Sequence, residues 1–266
     1  MNSAFTLMRL GDKLRLGEKR YTDLFARSGR FLLDRLAPPL CPVTGEPLGR
    51  AGGLSPSAWE KIRFIDDPSC AKCGAPFAVD YGAGAVCAGC LADPPAFDSA
   101  RAAVVYDDAS HALIVGFKHA DRTDLAPLLA GWLARAGAGL VTTASILAPV
   151  PLHPRRLFAR RFNQSALLAH RLSRMTGAVF APTLFERLRP TPSQKGLSAD
   201  QRRRNLAGAI GVRADGAKDA HVVIIDDVMT TGATLSACAR AARKAGARRV
   251  DALVLARALK DGAVLG

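Results

Sequence analysis

Residues 222–234 read VVIIDDVMTTGAT. Val222 to Ile225 are four consecutive apolar β-formers, which predicts a short buried strand of a parallel sheet. Asp226 and Asp227 fall where that strand is expected to end. Val228 and Met229 lead into Thr230, Thr231, Gly232, Ala233 and Thr234, and a helical pattern begins near Leu235. A strand, a hydroxyl-rich turn and a helix start make an anion cradle, because unpaired N–H groups and the helix dipole both favour negative charge there. Gly232 lets the backbone approach a phosphate closely. The two carboxylates would repel that phosphate, so they suit a polyol or a bound cation. A sugar phosphate satisfies both halves of the stretch.

Outward from this stretch, strands and helices alternate. Strands are expected at 100–106, 146–150, 222–225 and 250–255, with a weak one at 209–212. Helices are expected at 110–119, 124–136, 163–175 and 235–245, with Asn163 as a cap for the third. That alternation predicts an α/β fold with an open parallel sheet and helices on both faces. The strand at 146–150 runs into the irregular turn Pro151, Leu152 and His153. Residues 187–205 form a long polar stretch with two prolines, a glycine and six cations, and a loop of that length inside a compact domain is usually functional or disordered.

Upstream, residues 21–36 read as an amphipathic helix ended by Pro38 and Pro39. Residues 38–95 are rich in Gly, Pro and Cys and lack periodicity, which predicts a small metal-stapled module. Cys70 and Cys73, then Cys87 and Cys90, form two CxxC turns separated by thirteen residues. Two such knuckles supply a closed four-sulfur site that suits one structural Zn²⁺. Chelation is therefore expected to loosen this module and leave the α/β part folded. The chain divides into 1–37, an N-terminal extension with its helix; 38–95, a zinc ribbon; and 96–266, the α/β domain.

The formal net charge is +14. Between residues 154 and 205, twelve cations against Glu186 and Asp200 leave +10 in one segment, a pattern that favours a polyphosphate or nucleic acid. No apolar run reaches the length of a membrane span, and the N-terminus has charges every few residues, so a cytoplasmic location is expected. Cys238 reads as core packing. His111, His119, His170 and His221 form no metal-ligand cluster in the sequence.

The 226–234 stretch resembles the ribose-5-phosphate loop of the type I phosphoribosyltransferases, which bind phosphoribosyl pyrophosphate (PRPP). The wider chain resembles the ComF family, in which a double zinc ribbon precedes such a domain. The matching pieces are LLDRLAPPLCP (32–42), CAKCG, CAGC, PPAFDSARAAVVYDD (94–108), FKHADR (117–122), PVPLHPRRLFARRFNQSALLA (149–169) and the loop 191–205.

This resemblance implies that Asp226 and Asp227 contact the ribose hydroxyls and that residues Val228, Met229, Thr230, Thr231, Gly232, Ala233 and Thr234 hold the 5-phosphate. It implies that Pro151, Leu152 and His153 meet the pyrophosphate, near Arg155 or Arg156; His153 either orients a phosphate or shapes the turn. A closing loop at 192–204 would bring Lys195 and Arg202 to the leaving group, and Mg²⁺ would accompany PRPP. Lys118 either reaches anions or lies in solvent. Asn163 and Gln164 either read the acceptor or pyrophosphate, or, for Asn163, only cap the helix. The family's fuller form has a second zinc site. Here Cys41 remains but Thr44, Ser55 and Ala58 replace its other cysteines, so one zinc is expected, with Leu54 and Trp59 filling the vacated space. The implied function is phosphoribosyl transfer to an unidentified acceptor, linked to DNA uptake and competence, with DNA and competence-machinery proteins as partners. The alternative is a non-catalytic, PRPP- or phosphate-binding accessory protein associated with nucleic acid.

Overall fold

The computed structural model describes residues 38–119, 122–152, 162–189, 199–213 and 216–259. The helix expected at 21–36 and residues His153, Arg155, Arg156 and Lys195 lie outside them. In chain order the elements are α1 (Pro56–Lys61), α2 (Ala88–Ala92), β1 (Ala100–Val105), α3 (Asp108–His119), a 3₁₀ turn (Thr123–Leu125), α4 (Ala126–Ala136), β2 (Ser145–Pro149), α5 (Gln164–Thr176), β3 (Val179–Phe180), β4 (Phe185–Arg187), α6 (Ala199–Leu206), β5 (Ile210–Val212), β6 (His221–Met229), α7 (Ala233–Lys244) and β7 (Arg249–Arg257).

Five strands form one parallel sheet in the order β1-β7-β6-β2-β3. The two-residue period of a strand sorts its side chains onto two faces. Val222 and Ile224 of β6, with Val250, Ala252 and Val254 of β7, join Leu235 and Cys238 of α7 in one core. Val223, Ile225, Leu253 and Leu255 point the other way, onto Leu113 and Phe117 of α3, Leu129 and Leu133 of α4, and Leu168 and Leu172 of α5. The sheet is covered on both faces, as the apolar runs require. Burial pushes the Cys238 thiol up, in keeping with a packing role.

Three elements differ from the sequence expectation. β6 does not stop at Ile225: it runs through both aspartates to Met229, with Asp226 opposite Val254 and Val228 opposite Ala256 of β7. The weak strand near 209–212 leaves the main sheet and pairs antiparallel with β4, so Phe185 faces Val212 and Arg187 faces Ile210. Part of the long polar stretch is helical, as α6.

The cysteine-rich module is not a separate body. Phe64 bridges antiparallel to Val104, the Ile65 N–H donates to the Ala103 carbonyl (3.0 Å), and the Val105 N–H donates to the Arg63 carbonyl (2.8 Å). Cys70, Cys73 and Cys90 share the core of α7, while Cys41, Leu54, Ala58 and Ile62 share that of α3 and α4. Among the described residues no helix is long and apolar enough to cross a membrane.

Candidate functional site

β6 connects through α7 to β7, its neighbour on one side. β2 connects through α5 to β3 on the other side, across the opposite face. The carboxyl ends of β6 and β2 therefore flank a topological switch point, where open α/β sheets form ligand crevices. The two strands stay paired to this end, with Pro149 opposite Ile225 and the Val150 N–H donating to the Ile225 carbonyl (3.0 Å).

A cleft at the end of β6 is lined by Asp226 and residues 228–235. Gly232 has φ +74° and ψ +6°, and its carbonyl accepts the first helical bond, from the Ser236 N–H (2.8 Å). The left-handed turn swings the chain from strand to helix within three residues and brings the first turn of α7 to the cleft, the arrangement that holds an anion. The Thr231 hydroxyl accepts from the Ala233 N–H (3.4 Å).

The two acids behave differently. Asp226 Oδ1 accepts from Ser165 Oγ of α5 (3.1 Å) and from the Asp227 N–H (2.9 Å). Burial, and then the neighbouring Asp227 carboxylate, push Asp226 up to about 7. Asp227 turns to α3, where Lys118 Nζ lies 3.0 Å from its Oδ2, with both side chains largely buried. Lys118 is thus not a solvated helix-end lysine. Its backbone carbonyl accepts from Gln164 Nε2 (3.3 Å), which fixes α3 against the start of α5.

At the end of β2, Pro151 is buried and Leu152 half-buried. The Pro151 carbonyl accepts from Arg187 Nε of β4 (3.2 Å). Asn163 Oδ1 caps α5 by accepting from the N–H groups of Ser165 (3.0 Å) and Ala166 (3.3 Å), and its Nδ2 donates to the Val150 carbonyl (3.0 Å). Both ends of the Asn163 amide are engaged in structure, which resolves its role in favour of capping.

The Sγ atoms of Cys70, Cys73, Cys87 and Cys90 all lie within 4.8 Å of one another, with Cys73 and Cys87 3.7 Å apart. A tetrahedral zinc with Zn–S of about 2.3 Å places its sulfurs about 3.8 Å apart, so the four thiols fit that ion. The Cys73 and Cys87 N–H groups approach Cys70 Sγ at 3.5 and 3.3 Å, the backbone support that a thiolate needs. Among the described residues no other group of three or more His, Cys, Asp or Glu side chains has metal-ligand spacing.

Residues 32–91 match the double zinc ribbon domain family and residues 176–264 match the phosphoribosyl transferase domain family. The chain is 32% identical over 228 residues to the DNA utilization protein YhgH of Escherichia coli O157:H7, spanning 84% of this chain and 98% of that protein. It is 32% identical to competence protein F of Haemophilus influenzae, spanning 77% of this chain and 91% of that protein. The chain belongs to the ComF family.

The double ribbon of this ComF protein carries its first half in altered form. The Cys41 N–H donates to the Glu46 carbonyl and the Gly45 N–H to the Cys41 carbonyl, as Cys70 and Gly74 do with Ala75 and Cys70. α1 starts after Ser55 as α2 starts after Cys87. Thr44, Ser55 and Ala58 therefore occupy the places of Cys73, Cys87 and Cys90. Hydrogen bonds stand where a metal would: the Ser55 N–H reaches Cys41 Sγ (3.5 Å), and the Thr44 and Ser55 hydroxyls pair at 2.9 Å. Leu54 packs in the core beside Cys41 and Ala58, whereas Trp59 turns onto Phe64 and Trp132, with centroids 5.9 and 5.4 Å away. The expected metal content is one zinc per chain, held by the second half. Elemental analysis giving two would contradict it.

The sequence did not reveal a further network at the opposite end of the sheet. Ser145, His221 and Arg249 lie abreast on β2, β6 and β7. His221 bridges Ser145 Oγ (3.1 Å) and the fully buried Asp251 (2.8 Å), which also accepts from Arg249 Nε (2.7 Å). With Ser145 itself fully buried, this array ties strands together. Arg202 lies on α6, which packs against α7.

Proposed function

We propose that this ComF protein binds Mg²⁺-PRPP across the ends of β6 and β2 and transfers the phosphoribosyl group to an acceptor not yet identified. The carrying observation is the cradle at the switch point, where the left-handed Gly232 turn and the acid Asp226 line one cleft. In this reading residues 228–234 hold the 5-phosphate, Asp226 and Asp227 accept from the ribose hydroxyls, and Pro151, Leu152 and His153 face the pyrophosphate. Mg²⁺ would enter with PRPP and would offset its phosphate charge, while Lys118 balances Asp227.

Transfer breaks the bond between the anomeric carbon and the pyrophosphate oxygen and forms one from that carbon to the acceptor. Negative charge gathers on the leaving group and positive charge on the ribose. Preorganised donors at the α7 start stabilise the ligand without reorganising. Lys195 and Arg202, on the stretch 192–204, are assigned to the leaving group, with closure of that stretch excluding water. The names of the relatives and the +10 segment at 154–205 support a role in DNA uptake or use, with DNA and competence-machinery proteins as the proposed partners and the cytoplasm as the proposed location.

The test is a PRPP titration on the wild type and Asp227→Asn, followed by a pyrophosphate-release screen with candidate bases. Asparagine keeps the shape but forfeits a charged acceptor, a loss of about 1.5–3 kcal/mol, so affinity should fall roughly tenfold to a hundredfold. Equal affinities would remove Asp227 from the site. Binding with no release for any base would favour the non-catalytic reading.

A second expectation concerns pH. The folded-state value of Asp226 lies above its unfolded value of about 4. Its contribution to folding stability is therefore complete below about 4 and is lost as pH rises through about 7. The same ionisation creates the acceptor for a ribose hydroxyl, so PRPP affinity should rise between pH 6 and 8 while the ligand-free protein loses stability. A flat affinity profile across that range would show that Asp226 does not touch the ligand.

A further inference from the structure

Arg257, the last residue of β7, sits in register with Met229 at the end of β6 and with Val105 at the end of β1. The Ala258 N–H donates to the Met229 carbonyl (2.9 Å), so the backbone at this point is pinned beside the cradle. From there the guanidinium reaches in two directions. Nη1 donates to the carbonyl of Thr230, two residues before the Gly232 turn (2.8 Å). Nη2 donates to Cys73 Sγ of the metal-binding knuckle (3.4 Å). Nε is buried without an acceptor among the described residues, so the two ends of the planar fork set where it lies.

Other contacts run along the same line. A side chain built on Gly232 would point at the Phe97 ring, 3.7 Å away, and the Ala96 N–H approaches Ser236 Oγ of α7 (3.4 Å). Ala100, three residues beyond Phe97, donates from its N–H to the carbonyl of Lys72, inside the first CxxC turn (2.8 Å). The floor of the cradle and the edge of the knuckle are therefore one packed piece. A zinc bound by four thiolates carries net negative charge, which a guanidinium hydrogen-bonded to one sulfur complements.

We propose that Arg257 is a positioning residue that couples the zinc knuckle to the cradle: metal-bound Cys73 fixes the guanidinium, the guanidinium fixes the Thr230 carbonyl, and metal occupancy thereby sets how tightly the 229–235 turn holds phosphate. The identity of the ligand as PRPP rests on the function proposed above; the coupling between knuckle and turn does not. Such coupling is reciprocal, so a ligand in the cradle must also act on the metal site.

The experiment uses the full chain in three forms: wild type, Arg257→Met and Arg257→Lys. Amide hydrogen exchange is followed across residues 229–235, with and without zinc. The readout is the Ala233 N–H, bonded to Thr231 Oγ1, and the adjoining Ser236 N–H, bonded to the Gly232 carbonyl; both are protected in the zinc-loaded wild type, and stripping the metal should speed their exchange roughly tenfold, as expected for loss of one charge-assisted hydrogen bond. Zinc-loaded Arg257→Met should already show the faster exchange while retaining its metal, and stripping should add less than about twofold, the non-additivity that marks one shared path. Equal acceleration by stripping in wild type and Arg257→Met would overturn the proposal, as would protection unchanged by the substitution.

A second readout replaces zinc with Co²⁺ and records the thiolate–cobalt absorption during titration with PRPP or inorganic phosphate. The band should shift in the wild type and stay fixed in Arg257→Lys, whose single ammonium cannot span both partners. An equal shift in both would overturn the proposal even if Arg257→Met failed to fold. Should the wild type bind phosphate but not PRPP, the exchange result still decides the coupling, and only the reading of the ligand fails.

Discussion

Gly232→Val is expected to remove PRPP binding from the titratable range, a loss of more than roughly a hundredfold, with the fold kept. Space is not the difficulty. A Cβ at this position would meet Met229 Sδ at 3.6 Å and Phe97 at 3.7 Å, which are ordinary contacts. The difficulty is the backbone, held at φ +74°. That conformation costs an L-residue about 1–2 kcal/mol, and more for a β-branched one. A valine would relax towards negative φ and carry the Gly232 carbonyl away from the Ser236 N–H, turning the start of α7. A branched side chain would also stand between the backbone N–H groups and the phosphate they hold. The strain of a few kcal/mol is small beside the 5–15 kcal/mol typical of a domain, so circular dichroism should match the wild type. Undiminished PRPP binding by Gly232→Val would mean that the turn is structural and that the phosphate sits elsewhere.

The same stretch shows what the sequence carries and what it hides. Val222 to Ile225 announce a buried parallel strand because apolar side chains must fill both faces, and the structure places them in the two cores. The continuation to Met229 was hidden, since aspartates read as a strand end. They stay in the ladder because β7 is long enough to pair with them, a property of a segment more than twenty residues away. The knuckles were legible because CxxC is local. The altered ribbon half was legible from the family pattern, but its replacement by the Cys41, Thr44 and Ser55 hydrogen bonds depends on a fold that brings residues 41 and 55 together.

Lys118 and Arg257 mark the limit of local reading. Each is an unremarkable cation in its own segment. Their partners, Asp227 for Lys118, and Thr230 and Cys73 for Arg257, are set by sheet order and register. The FKHADR match drew attention to Lys118, and nothing comparable surrounds Arg257. The Ser145, His221 and Asp251 array was invisible for the same reason, since three strands must align before it exists.

Removing the metal is expected to lower the unfolding temperature of the whole described body in one cooperative step, on the order of 10 °C. The sequence led to a different expectation, a loosened ribbon beside an intact α/β domain. The structure changes it because the module lacks a core of its own. Cys70, Cys73 and Cys90 are buried among Phe97, Leu235 and Cys238, and the Ala100 N–H bonds to Lys72 inside the knuckle. Without the ion the four cysteines protonate to neutral thiols that nothing links, and the segment 70–90 loses its closure. The cost passes to β1, whose free edge is covered by residues 63–65, and to the floor beneath Gly232. A loss of several kcal/mol shifts a domain of this size by about 2–4 °C per kcal/mol, which gives the stated drop. Cys73→Ser should act like chelation, since one lost thiolate opens the tetrahedron, and it should also free Arg257 from its sulfur partner. The measurement is thermal unfolding followed by far-ultraviolet circular dichroism and by tryptophan emission, with and without chelator. Trp132 reports the α/β core and Trp59 the altered half of the ribbon, and their rings are in edge contact. If chelation left the main transition in place and produced a separate early one, the ribbon would be an independent unit, and the shared core would not be what holds the two together.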